Sequence, residues 1–176
     1  KSLVPDELYG TLREGILNTA DALAAKTNTN DYFQCVDDFQ WGSNSDVLNT
    51  AMIIAQAYRL DNKPEYLTAV RQAADYILGT NAVGYSFVTG FGDNPPMYIH
   101  HRQSAADGIV DPVPGLLSGG PNDDKQDVSA GVVYPENVSP MKSWTDHEDS
   151  YASNEICLNW NSPLTYILGF LEQESK

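Results

Sequence analysis

The sequence predicts an all-α fold, with helices toward both ends of the chain and a long irregular segment between them. Three observations carry that prediction. Apolar residues recur at three- and four-residue steps in three segments before position 80 and in a fourth after position 160. Two of these segments are separated only by Asp61-Asn62-Lys63, a turn short enough to make them antiparallel neighbours in an αα-hairpin. Residues 80–153 hold 7 of the 10 prolines and 8 of the 13 glycines, which keeps long helices out of that stretch.

The first helix is read from Leu8, Leu12, Ile16, Thr19 and Leu23, with Pro5 near its start, where a missing N–H costs nothing. The second carries Val47, Ala51, Ile54 and Tyr58 on one stripe, beside Leu48, Met52 and Ala55, and Ser43 and Ser45 are its candidate N-caps. Pro64 opens the third, which carries Leu67, Val70, Ala74, Ile77 and Leu78, and Gly79 is placed to stop it in a left-handed conformation. The fourth runs through Leu164, Ile167, Leu168 and Leu171, with Ser162-Pro163 as cap and first residue, or with a start nearer Ser153-Asn154. In the irregular segment only pieces such as Tyr85-Ser86-Phe87-Val88-Thr89 read as extended. Irregular stretches longer than about 15 residues in a compact domain are usually functional or disordered. This one holds aromatics and all three histidines, which favours an ordered site.

Composition narrows the function. The chain has 176 residues, a length that suits one domain with a sizeable core, and its 41% hydrophobic content is too high for a disordered acidic chain. A formal charge of −14 argues against nucleic acid or an anionic membrane surface as partner. No apolar run approaches the roughly 18 residues of a membrane span. Cys35 and Cys157 are too few for a disulfide scaffold and do not pair as metal ligands. A small-molecule or polymer substrate remains. Position 1 is Lys and no signal-peptide pattern follows, so the chain reads as a processed or excised piece, or as starting part-way through a gene.

Two constellations could carry chemistry. In Phe91–Arg102, two prolines stiffen the approach to His100-His101-Arg102, and His100 and Arg102, alternate residues of an extended segment, would face the same side. An imidazole beside a guanidinium suits hydroxyl or carboxylate recognition, and the ordinary alternative is a loop whose His and Arg bond nearby carbonyls. Zinc is disfavoured, because HExxH spacing is absent and His147 is distant. In Trp144–Glu155, Asp146, Glu148, Asp149 and Glu155 cluster beside Trp144, Tyr151 and Trp160. Such clusters are commonly solvated turns. Glu155, however, immediately precedes Ile156-Cys157-Leu158, where desolvation would suit it to a general acid. Gly115–Asn122 lacks the ending of a phosphate loop and is followed by Asp123-Asp124. Asp123, Asp124 and Asp127 could help to hold Ca²⁺ but lack the regular loop spacing. Trp41 is either core or a sugar-stacking platform.

Together these segments resemble the C-terminal half of family 9 glycoside hydrolases, the endoglucanase and cellulase family, from about Trp41 to about Leu171. The order Tyr76–Asn81, Ser86–Gly92, His100–Arg102, Pro114–Asn122, Tyr151, Asn154-Glu155 and Asn161 is similar to that family's. The spacing from Ser86 through Gly92 and Asn94 to His100 and Arg102 matches its first active-site signature at every position. The second, on Trp144, Asp146, Tyr151, Glu155, Asn161 and Ser162, matches except that Cys157 stands where the family has a small Ser, Thr or Ala.

The resemblance implies part of an (α/α)6 barrel, with the irregular segment forming loops at its mouth, and inverting hydrolysis of β-1,4-glucosidic bonds. It makes Glu155 the general acid and Asp146 the family's active-site aspartate. His100 and Arg102 would bind sugar hydroxyls, Tyr151 would line the pocket and Trp41 would be a stacking platform. No cofactor is required, and Ca²⁺ enters only as a structural ion without an assigned ligand set. Inversion needs a second carboxylate roughly 6.5–9.5 Å from the first. The family draws it from an Asp-Ala-Gly-Asp motif in its N-terminal half, and that motif is absent here. Residues 1–176 therefore read as the C-terminal portion of one catalytic domain, with the N-terminal half as partner and a β-1,4-linked glycan as substrate, in a secreted or periplasmic enzyme. Cello-oligosaccharides or glucosamine oligomers are alternative substrates, and a non-catalytic glycan-binding fragment is the alternative for the chain alone.

Overall fold

The computed structural model describes residues 3–176. Its long helices are α1 (Asp6–Thr29), α2 (Ser43–Asp61), α3 (Pro64–Ile77) and α5 (Leu158–Glu174), with a single-turn α4 (Arg102–Ala106) inside the irregular segment. Among the described residues there are only isolated β-bridges, and no helix is long and apolar enough to cross a membrane.

Helix α2 is the hub, packed against α1, α3 and α5. Its Val47, Leu48, Ala51, Ile54 and Ala55 are buried with Tyr66, Val70 and Ile77 of α3 and Leu164, Ile167 and Phe170 of α5. Alanines at 51, 55 and 57 let the neighbouring backbones come close, and each fully buried Leu or Ile contributes about 1.5–3 kcal/mol. The α2–α3 hairpin forms as expected. Asn62 caps α2 in a left-handed conformation (φ 52°), Pro64 begins α3, and Gly79 follows α3 at φ 130°. Across α1 and α3, Asp21 accepts from Lys63 Nζ (2.8 Å) and from the Tyr66 hydroxyl (2.5 Å).

Those two donors hold the Asp21 carboxyl below its ordinary range. A lowered folded-state value stabilises above the unfolded carboxyl's pKa, and the contribution is lost as pH falls through the folded value. Asp21→Asn is therefore expected to lower Tm at neutral pH, and the difference from wild type is expected to vanish in strong acid. Thermal melts at several pH values check this.

Three local expectations are corrected. Neither Ser43 nor Ser45 caps α2; Gly42 does, at φ 88°, and no side chain bonds the cap. The Ser43 hydroxyl instead donates to the Pro121 carbonyl (2.7 Å), a tertiary contact invisible in local sequence. Helix α5 starts at Leu158, so Pro163 lies inside it. Proline leaves the carbonyl four residues earlier without its helical donor, and the Ser162 hydroxyl reaches that Asn159 carbonyl (3.4 Å). On α1 the buried positions are Ala20, Ala24 and Thr27, whereas Leu8, Leu12 and Ile16 of the apolar stripe stay 36–54% exposed. The extended reading of 85–89 holds at its centre, where Val88 bridges Leu117.

Candidate active site

Four short extended pieces build the floor of the site. Thr89 N–H donates to the Leu116 carbonyl and Ser118 N–H to that of Phe87, which joins 87–89 to 116–118. Gly119 N–H donates to the Glu155 carbonyl (3.0 Å) and Gly120 N–H to that of Ser153 (2.9 Å), which adds 153–156. His100 N–H donates to the Asn154 carbonyl (3.0 Å), and a parallel bridge sets His100 beside Glu155. The floor is tied to the first turn of α2, since Asn44 N–H reaches the Gly119 carbonyl and its amide the Ser118 carbonyl, both at 3.0 Å. Beneath it Trp144 is core, packed on Tyr85 and Phe87 with ring centroids 4.7 and 5.6 Å apart.

On this floor the predicted residues converge. Trp41 Nε1–H donates to Glu155 Oε2 (3.2 Å). The Trp41 ring lies 5.4 Å from that of Tyr151, which in turn meets the His100 imidazole edge-on at 6.2 Å. The Tyr151 hydroxyl donates to the Gln126 carbonyl (3.1 Å). His100 Nδ1 lies 2.6 Å from the Glu148 carbonyl. A carbonyl only accepts, so Nδ1 carries the proton and a neutral His100 offers Nε2 as an acceptor.

Arg102 is exposed at the start of α4, and among the described residues its side chain has no hydrogen-bond or ion-pair partner. It does not continue the extended segment, which ends at His101, yet it lines the same open cleft of about 370 Å³ as His100, with Glu148 and Asp149 on the wall. A guanidinium with all its donors uncommitted can bind several hydroxyls at once.

The surroundings of Glu155 differ from the sequence expectation. Leu158, the end of the apolar run after Glu155, is 91% exposed, so the apolar neighbour at the carboxylate is the Trp41 indole. Both Asp146 oxygens are engaged: Oδ2 accepts from Met97 N–H (2.8 Å), and Oδ1 from Tyr98 N–H (2.9 Å) and the Asn154 amide (3.0 Å).

Asp127 does not join Asp123 and Asp124. Its carboxylate is fully buried, accepting from Tyr134, Ser150 and the Ala152 N–H, and burial raises the Tyr134 hydroxyl to about 12. Among the described residues no three acidic, His or Cys side chains group as a metal site. The Glu148 carbonyl, which sets the His100 tautomer, is a backbone group and had no side-chain signal in the sequence.

The family model for glycosyl hydrolase family 9 matches residues 9–168. The chain belongs to glycosyl hydrolase family 9. It is 42% identical over 168 residues to a cellodextrinase of Butyrivibrio fibrisolvens, covering 94% of this chain and 31% of that protein. It is 46% identical over 136 residues to a xyloglucan-specific endo-beta-1,4-glucanase of Bacteroides ovatus, covering 77% of this chain and 22% of that protein. A thermostable endoglucanase structure from Alicyclobacillus acidocaldarius superposes with a TM-score of 0.86 at 36% identity, over 96% of this chain and 32% of the other. This family 9 chain thus spans a third or less of the relatives' length, and its helices are part of an (α/α)6 barrel.

Proposed function

We propose that the protein to which this family 9 chain belongs hydrolyses β-1,4-glucosidic bonds in cellulose or cello-oligosaccharides with inversion, and that this segment supplies the general acid. The observation that carries the reading is the Glu155 carboxylate held by the Trp41 indole in one cluster with Tyr151 and His100. Trp41 donates to Oε2, so in the protonated acid that oxygen is the carbonyl and Oε1 carries the proton given to the leaving oxygen. His100 Nε2 accepts from a sugar hydroxyl, Arg102 donates to others, and Tyr151 and Trp41 give apolar walls against the pyranose faces.

The water-activating carboxylate is assigned to the rest of the protein. Both Asp146 oxygens accept hydrogen bonds from the loop before His100, the family's base motif is absent from the sequence, and the chain covers a third or less of the relatives named above. The exposed Leu8, Leu12 and Ile16 stripe of α1 supports further helices packing there. A secreted or periplasmic location fits the acidic balance and the polymeric substrate, and no step uses a cofactor.

Proton NMR of the first turnovers of the full-length enzyme on cellotetraose tests this. The newly formed reducing end is expected to be the α-anomer. A β-anomer would contradict inversion, and no cleavage of any β-1,4-glucan would contradict the activity.

A further inference from the structure

We infer that Asp146 is a positioning residue that locks the register of the two segments bearing His100 and Glu155, and that it takes no part in proton transfer. The inference rests on the site described above. All three hydrogen bonds to the Asp146 carboxylate come from those two segments or their immediate approach. Met97 and Tyr98 N–H belong to the run into His100, and the Asn154 amide adjoins Glu155. Asn154 closes the lock, because the same amide donates to the Tyr98 carbonyl (2.9 Å) and its own carbonyl accepts from His100 N–H (3.0 Å). Asn154 is fully buried, so solvent does not compete for its amide.

A carboxylate is the side chain for this place, since it alone accepts at both oxygens while donating nothing. An Asn can face only one of the two backbone N–H groups with its oxygen, and it turns an NH₂ against the other. Three hydrogen bonds from two segments fix the carboxylate's orientation, so its first effect is on the placement of those segments. With the lock released, the 97–100 run loses its fixed distance to 154–156. His100 then leaves both the Glu148 carbonyl and the side of Glu155.

The test uses the full-length enzyme carrying Asp146→Asn or Asp146→Ala, with circular dichroism as the check on folding. Misplacing a positioned group by about 1 Å can cost on the order of a hundredfold, and Asp146→Asn is expected to lose about that much in kcat on cellotetraose. The ¹⁵N imidazole spectrum of wild-type His100 is expected to show one Nδ1-protonated tautomer, and that of the folded Asp146→Asn variant a tautomer mixture. Azide, which can substitute for a missing reactive carboxylate, is expected to leave Asp146→Ala inactive.

Rescue by azide would overturn the inference. So would an unchanged His100 spectrum in Asp146→Asn, whether its activity is lost or kept. The spectral comparison needs no turnover, so it stands apart from any failure of the glucanase reading.

Discussion

Glu155→Gln is expected to lower kcat on cellotetraose by about 10²–10⁴-fold, the contribution typical of a positioned general acid. The substitution is nearly isosteric, and the amide oxygen of Gln still accepts the Trp41 N–H that now reaches Oε2. Backbone pairing of residue 155 with Gly119 and His100 is untouched. What disappears is a proton that the side chain can give to the departing sugar oxygen. Asp146 keeps its three hydrogen bonds to Met97, Tyr98 and Asn154 in this variant. The variant should therefore melt close to wild type and fail in turnover, with sugar binding by His100 and Arg102 largely retained. Calorimetric titration of cellotetraose beside steady-state kinetics separates the two effects. Wild-type kcat in the variant would remove Glu155 from the mechanism.

Gly120→Ala is expected to be the most damaging small substitution for the fold. Gly120 sits at φ 96°, and a Cβ there would lie 2.4 Å from Asn44 Cγ and 2.5 Å from its Oδ1. Asn44 cannot step aside cheaply. It is fully buried, and its backbone and side chain both bond the 118–119 segment that carries the floor of the site. A non-glycine residue at positive φ costs about 1–3 kcal/mol and overpacking costs about 1–3 more, against a typical domain stability of about 5–15 kcal/mol. Gly131→Ala is the control, because Gly131 has a similar φ of 94° with nothing within 4 Å of the added carbon. Urea unfolding should give Gly131→Ala only the conformational part of the loss. Equal losses in the two variants would show that the Asn44 contact is soft.

The sequence made the helices legible where local chemistry alone decides them. Asn62 and Pro64 bracket a hairpin with few conformations available, and Val47, Ala51 and Ile54 of α2 and Val70, Ala74 and Ile77 of α3 are buried as their periodicity demands, whereas Leu78, just past α3, is exposed. It misled where a residue answers to a distant partner. Ser43 looks like a cap but bonds Pro121, and Pro163 looks like a helix start but lies within α5. The α1 stripe has the right period for a helix, but period does not say which neighbour covers it, and Leu8, Leu12 and Ile16 remain exposed.

At the site, the motif spacing identified His100, Tyr151 and Glu155, which the fold does gather, and Trp41, read from the sequence as either core or a stacking platform, joins them. The spacing could not tell how differently the carboxylates of Glu155 and Asp146 are held. That difference lies in hydrogen bonds from Met97, Tyr98 and the Asn154 amide, and two of those donors are backbone groups common to every sequence. The same holds for the Glu148 carbonyl at His100.

The central claim, that Glu155 protonates the leaving group, is tested most directly by changing the leaving group. A dinitrophenolate departs without protonation, whereas a sugar alkoxide does not. In the full-length enzyme, Glu155→Gln should cleave dinitrophenyl cellobioside at close to the wild-type rate while remaining crippled on cellotetraose. An equal loss on both substrates would contradict the assignment of Glu155 as the general acid.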